Sequence, residues 1–209
     1  MDCTLLIKKL EHWLRQNLLH LSQQINLKNS KNRMRKACFT WLLMFAPLWI
    51  QAQTLLLHPS NSRVNFTIKN LGIEVDGRFS SLKGQLNVNP TSGLPEFLFG
   101  EIEVNSISTG IAMRDRHLMK PDYFHASRHP NIKFRSERIS SSGKLWLVKG
   151  WLSMKGISQP IQIQAEITKT GNGYLLKSKF SIRRSSFNIG DSAMLSEDVN
   201  IDLNLNFTP

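Results

Sequence analysis

From Gln53 onward, apolar and polar residues alternate with a period of two, the spacing of a strand with one face buried. In Ser62–Asn70 the apolar positions Val64, Phe66 and Ile68 interleave with Arg63, Asn65, Thr67 and Lys69. Ile73, Val75 and Phe79 continue the pattern through Gly77, where a glycine inside a strand predicts a bend or bulge. Leu82, Gly84, Leu86 and Val88 follow and end at Asn89-Pro90; Phe97–Ser106 then places Leu98, Ile102 and Val104 on one face. Later strands are predicted at Ile132/Phe134, Val148–Met154, Ile161–Ile167, Tyr174–Ile182 and Val199–Phe207, divided by turn clusters such as Ser140–Gly143 and Gly171-Asn-Gly173. One stretch breaks the rhythm. In Ile111–Ser136, Met113, His117, Leu118 and Met119 recur at helical spacing, Pro121 ends the helix, and Asp122-Tyr-Phe124 begins another turn. A lone helical insert in all-β sequence is expected to cover an open end of a barrel or sandwich. The count is about eight strands on short connections, hence an all-β antiparallel fold with a short helical insert near residues 111–126; an eight-stranded antiparallel barrel, which leaves no open sheet edge, is one such fold and a sandwich is the other. Inward glycines at 77, 84 and 150 leave space for curvature or for a guest, and alternation is compatible with a filled interior or a hollow one.

The beginning of the chain has a different grammar. Residues 34–52 put Arg35 and Lys36 before an apolar run, Trp41–Ile50, with small Ala52 at its exit. That order predicts a signal peptide cleaved after Ala52, and the run is too short for a membrane-spanning helix of ~20 residues. Residues 1–33 contain Leu5, Leu6, Leu10, Trp13, Leu14 and Leu18, an amphipathic helical pattern, but are read as an upstream, non-native extension before a start at Met34. The mature domain would then be residues 53–209, periplasmic or secreted.

Charge changes this picture little. The formal charge is +12, of which half falls in residues 1–52; the rest of the basic residues are scattered among strands and make no stripe, which argues against nucleic acid. Both cysteines, Cys3 and Cys38, also lie in that first quarter, so the expected mature domain has no disulfide.

Candidate chemistry is sparse. His117, His125 and His129 are spaced unlike a zinc-binding H-E-x-x-H, and the serine-rich loops contain no nucleophile elbow. No catalytic residue, metal ligand or bound cofactor is expected, and the protein is read as a non-enzyme. Arg114, Arg116 and His117 form a small cationic group, either a head-group contact or a helix face self-paired through Asp115.

The chain resembles the YceI-like family of polyisoprenoid-binding, lipocalin-like domains. The resemblance spans roughly Leu57 to Phe207 and rests on blocks in family order: Ser62–Gly72, Gly77-Arg-Phe79 with Gly84, Val104 with Ser106–Gly110, Arg114–Leu118 with Asp122-Tyr-Phe124, His129–Ser136, Gly150 with Leu152, and Lys155–Pro160. It implies a lipocalin-like barrel whose apolar channel holds an isoprenoid quinone, a polyprenyl phosphate or a similar amphiphile non-covalently, for transport, storage or stress response. Strand parity would line that channel with Val64, Phe66, Ile68, Val75, Phe79, Leu86, Val104, Phe134, Leu152, Met154, Phe180, Leu203 and Leu205. Met113, His117, Met119 and Phe124 would stand at its mouth, where pliant methionines suit a variable guest. Every one of these positions also suits ordinary barrel core. The implied partner is a long-chain lipid, with transient membrane contact and a homodimer as admissible states. The competing expectation is an interaction module with a filled barrel and no lipid, presenting outward Trp151.

Overall fold

The computed structural model describes residues 52–209; the readings made for residues 1–51, both cysteines included, lie outside the described residues. Eleven strands, β1 (Gln53–Leu57), β2 (Arg63–Asn70), β3 (Ile73–Phe79), β4 (Leu82–Val88), β5 (Pro95–Glu103), β6 (Ile107–Ser108), β7 (Asn131–Ser142), β8 (Leu145–Met154), β9 (Ile157–Thr170), β10 (Gly173–Arg183) and β11 (Leu195–Thr208), form one antiparallel sheet, with helix α1 (Ala112–Leu118) between β6 and β7. Eight of them close a ring in the order β1-β4-β5-β7-β8-β9-β10-β11 and back to β1. The other three continue the first staves beyond a break. β1 and β2 both pair with β11, β4 and β3 pair with them in turn, and β5 and β6 complete the third stave. The expected barrel of eight staves is therefore present, with three of them interrupted.

The break between β1 and β2 has a local cause and a local repair, and a bulge in β7 is repaired in the same way. Pro59 lacks an N–H for the ladder and opens a 3-10 turn, Pro59–Asn61. Across that gap the buried Ser62 hydroxyl donates to the His58 carbonyl (2.8 Å) and accepts the Asn206 N–H (2.9 Å), replacing the missing ladder bonds. Between Ser136 and Arg138 a bulge shifts the register against β8, and the buried Ser136 hydroxyl accepts the Leu98 N–H at 2.8 Å. Buried polar groups without partners would be costly, and here the serines serve as extra rungs.

Two expectations are corrected. Gly77 makes no bulge: it pairs directly with Phe66, and a Cβ there would lie 2.1 Å from the Phe66 ring, so this glycine clears space for an aromatic ring rather than a bend. Val104 does not continue the inward face of β5, because it opens a 3-10 turn, Val104–Ser106, that resets parity; Ile107 takes the inward place instead.

The core sits at one end, called the base here. Leu55, Leu86, Ala165, Leu176 and Phe207 are fully excluded from solvent there and Val88 nearly so. The loop after β4 seals it, with the Tyr174 hydroxyl donating to the Gly93 carbonyl at 2.8 Å. At the opposite end, the mouth, are α1, the turns at residues 119–130, the β2–β3 and β8–β9 hairpin turns, and the segment 184–194 between β10 and β11. Among the described residues no helix is long and apolar enough to cross a membrane.

Candidate functional site

Between the packed base and the mouth the barrel encloses a cavity of about 910 Å³. Its wall is the inward face of the staves, which alternation makes apolar nearly throughout. Val64, Phe66, Ile68, Val75, Phe79, Phe134, Leu152, Met154, Phe180, Leu203 and Leu205 all line it, and Met113, His117 and Phe124 line it from the mouth. Phe66 and Phe79 pack with ring centroids 5.6 Å apart, and Phe79 meets Phe124 edge-on at 6.3 Å, so one aromatic row joins two staves to the turn that covers them. Gly84 and Gly100 face each other across β4 and β5, and a Cβ on Gly100 would meet no atom within 4 Å. Gly100 therefore holds open volume, whereas a Cβ on Gly84 would lie 3.1 Å from the Phe99 carbonyl oxygen and 3.3 Å from Leu57 Cβ, so that glycine permits close packing instead.

Three expected lining residues stand elsewhere. Leu86 belongs to the packed base, where parity is right but depth is wrong. Val104 is buried where its N–H donates to the Pro130 carbonyl at 2.8 Å, outside the cavity wall. Met119 caps α1 and packs on the core, while Leu118 and Lys120 take the wall beside it. Conversely, Val199 and Ile201 share the parity of Leu203 and Leu205 and line the cavity, as do Ile161 and Ile163 of β9.

At the mouth the polar groups divide into tied and free. Arg114 donates from Nε to the Thr109 hydroxyl and from Nη2 to the Thr109 carbonyl (both 2.7 Å), and Asp115 accepts the Thr109 N–H at 2.8 Å, so both are tied to Thr109, and among the described residues Asp115 forms no ion pair with Arg114 or Arg116. Arg116 and Lys120 are exposed, line the cavity and enter no ion pair among the described residues. The His117 ring packs against Tyr123 with centroids 5.0 Å apart, while His125 and His129 meet edge to face at 5.8 Å. Among the described residues no three groups converge in a manner that would hold a metal ion.

One residue was not anticipated. Arg184 is 5% exposed and continues the inward parity of Phe180 and Ile182, so the signal was a cation in an apolar row. It donates from Nε to Ser196 (3.0 Å), from Nη1 to Ile189 (3.2 Å) and Gly190, and from Nη2 to Ser192 (3.0 Å) and Leu195 (3.1 Å), all backbone carbonyls. Nη2 also lies 2.9 Å from a Glu197 carboxylate oxygen. The Ser185 hydroxyl, with Arg184 and Arg183, holds the Glu197 carboxyl below its ordinary range. With every N–H engaged, Arg184 ties down the loop that walls the mouth and has no donor left for a ligand.

The YceI-like domain family matches residues 56–207, which is most of the chain and nearly all of the barrel. The chain belongs to that family. Among curated relatives, UPF0312 proteins of Photorhabdus laumondii and Vibrio cholerae are each 28% identical, over 109 and 114 residues, or 52% and 54% of this chain. The chain covers 57% and 60% of their lengths. Solved structures with the same fold include BcnA of Burkholderia cenocepacia (TM-score 0.67, 22% identity, covering 72% of this chain and 98% of that one). A polyisoprenoid binding domain from Saccharophagus degradans superposes with a TM-score of 0.61 at 15% identity, covering 76% of this chain and 99% of that one. YceI-like membership accounts for the closed barrel with its short helix α1, and three of the sequence blocks that carried the resemblance, Arg114–Leu118, Asp122-Tyr-Phe124 and Lys155–Pro160, lie at or beside the mouth.

Proposed function

We propose that this YceI-like chain is a lipid-binding protein that holds the hydrocarbon tail of an isoprenoid quinone, a polyprenyl phosphate or a similar long-chain amphiphile inside the barrel, without a covalent bond and without catalysis. The observation that carries this is the cavity: at the ~30 Å³ that a water molecule occupies in liquid, 910 Å³ is room for about 30 non-hydrogen atoms. An apolar volume of that size left empty forfeits contact on every lining atom, and a hydrocarbon guest restores it. The transfer of tail surface from water, at about 25 cal/mol per Å², supplies the affinity. The polyisoprenoid binding domain of Saccharophagus degradans shares the architecture and supports the same ligand class. Arg116, His117 and Lys120 line the cavity at the mouth, and in this reading they meet the polar head of such a ligand. Transport, storage or a part in stress response, in a periplasmic or secreted location after cleavage at Ala52, completes the reading.

Native mass spectrometry of protein released under mild conditions tests it. A bound lipid of isoprenoid mass, or stoichiometric uptake of an added prenyl alcohol, is expected. Protein that is ligand-free and takes up neither prenyl alcohol nor quinone overturns it and leaves the interaction-module alternative.

A further inference from the structure

Five large apolar side chains stand in solvent at the mouth: Leu71 and Ile73, each 70% exposed, Met113 at 74%, Met194 at 61% and Ile111 at 53%. They are continuous with the cavity. Asn70, Val75, Ile111, Met113 and Leu195 line it, so Leu71, Ile73 and Met194 occupy the rim one or two residues further out. The Leu71 N–H donates to the Met194 carbonyl at 2.9 Å, which binds the β2–β3 turn to the loop before β11.

Leu71 is an unexpected residue for its backbone. The two-residue β2–β3 loop has φ of +52° at Leu71 and +81° at Gly72, the pattern of a type I′ turn. Its first central position favours Asn, Asp or Gly, because a Cβ crowds the carbonyl when φ is positive. The β8–β9 loop repeats the geometry with Lys155 and Gly156, and Lys155 has an internal reason to be there: its Nζ donates to the Asn188 carbonyl. The Leu71 side chain projects into water. Neither turn chemistry nor core packing selects an exposed leucine at a strained position, whereas contact with an apolar surface does.

We propose that Leu71, Ile73, Ile111, Met113 and Met194 form a collar that seats the mouth on a lipid bilayer, so that a tail passes between membrane and cavity without crossing water. This rests on the lipid-binding reading above. Exposed Lys69, Arg116, Lys120 and Arg128 stand at this end with exposed Glu74, Asp122 and Asp191, close to balance. Insertion of apolar side chains therefore carries the docking, and added salt weakens it little.

The test uses the full chain and vesicles of phosphatidylethanolamine and phosphatidylglycerol. In Leu71→Trp, bromine-labelled acyl chains are expected to quench fluorescence beyond that of wild type; no added quenching overturns the proposal. In Leu71→Asn/Met194→Gln, uptake of a fluorescent prenyl alcohol from vesicles is expected to slow roughly tenfold, the order set by removing a buried apolar side chain. Uptake of the same probe from a water-soluble cyclodextrin complex should match wild type, since neither residue lines the cavity. Equal slowing from both donors, or from neither, overturns the collar. So does a variant whose sole change is from dimer to monomer, which would make the rim an interface between copies. If wild type takes up the probe from neither donor, the lipid-binding reading fails, and the quenching arm still decides docking by itself.

Discussion

The two ends of this barrel are built from the same alternating strands and held by different forces. At the base, Leu55, Leu86, Leu176 and Phe207 meet one another and exclude solvent completely. Toward the mouth, side chains of the same kinds, Ile68, Leu203 and Leu205, face open volume, and the wall is kept in shape by hydrogen bonds to backbone carbonyls, above all those of Arg184. The lesson is a division of labour. A barrel can keep part of its interior empty if one end supplies the packing stability and the other is braced by polar bonds that need no apolar filling.

The largest expected effect separates the ends directly. Leu176→Ala should cost about 3–4 kcal/mol, the range for deleting a fully packed leucine, because its neighbours cannot collapse into the gap. Leu203→Ala should cost about 1 kcal/mol, since its side chain is half-buried and already borders a void. Urea denaturation measures both, and equal losses would erase the contrast. Lipid uptake should respond in the opposite order, falling for Leu203→Ala and holding for Leu176→Ala.

Parity made most of this legible in advance. Strand positions, the closing helix and the side of each strand that faces inward follow from a period of two and from Pro121, because a pleated strand leaves its side chains no other choice. Depth along the barrel axis was not legible. Leu86 and Leu205 both sit on the inward face of their strands, yet one is in the base and the other on the cavity wall, a difference set by how far each stave rises before it meets its neighbours. Val104 and Gly77 were misplaced for a related reason: a 3-10 turn and an aromatic ring on the partner strand decide them, and neither leaves a mark on the local pattern. Arg184 was legible in principle, as a cation on inward parity after Phe180 and Ile182, but only a folded loop offers five carbonyls to satisfy it.

Next in size is the brace. Arg184→Ala should lower stability by about 2–3 kcal/mol, as a group of carbonyls loses its shared donor. The loss should be local. Hydrogen exchange is expected to speed up at the Gly190 amide, which donates to Asp122 at 2.8 Å, while amides of the base such as Leu176 stay protected. Uniform loosening of both would mean that the ends are not independently held.

Glycines sharpen the comparison further. A Cβ at Gly173, in the base, would lie 2.2 Å from the Phe207 carbonyl oxygen, so Gly173→Ala must move backbone and should cost about 1–3 kcal/mol. Gly100→Val puts a side chain into open volume and should leave thermal stability unchanged or raised, while shrinking the space for a guest. A Gly100→Val protein that melts early would show that the cavity is less open than its walls imply.

The smallest expected effect is in the pH response of the brace. The Glu197 carboxyl sits below its ordinary value of 4.5, chiefly through the Ser185 hydroxyl and then through Arg184 and Arg183, against a cost of desolvation. A carboxyl with a depressed folded-state pKa leaves the unfolded chain binding more protons, so its contribution is present above the ordinary value and is lost as pH falls through the folded one. Wild type should therefore melt slightly above Glu197→Gln at neutral pH, and the two should converge well below pH 4.5. The gap is small because the five carbonyl partners of Arg184 do not titrate and keep the loop in place after the carboxylate is neutralised. A difference between the two proteins that is the same in acid as at neutrality would assign the effect to packing at Glu197 and leave the carbonyls alone as the brace.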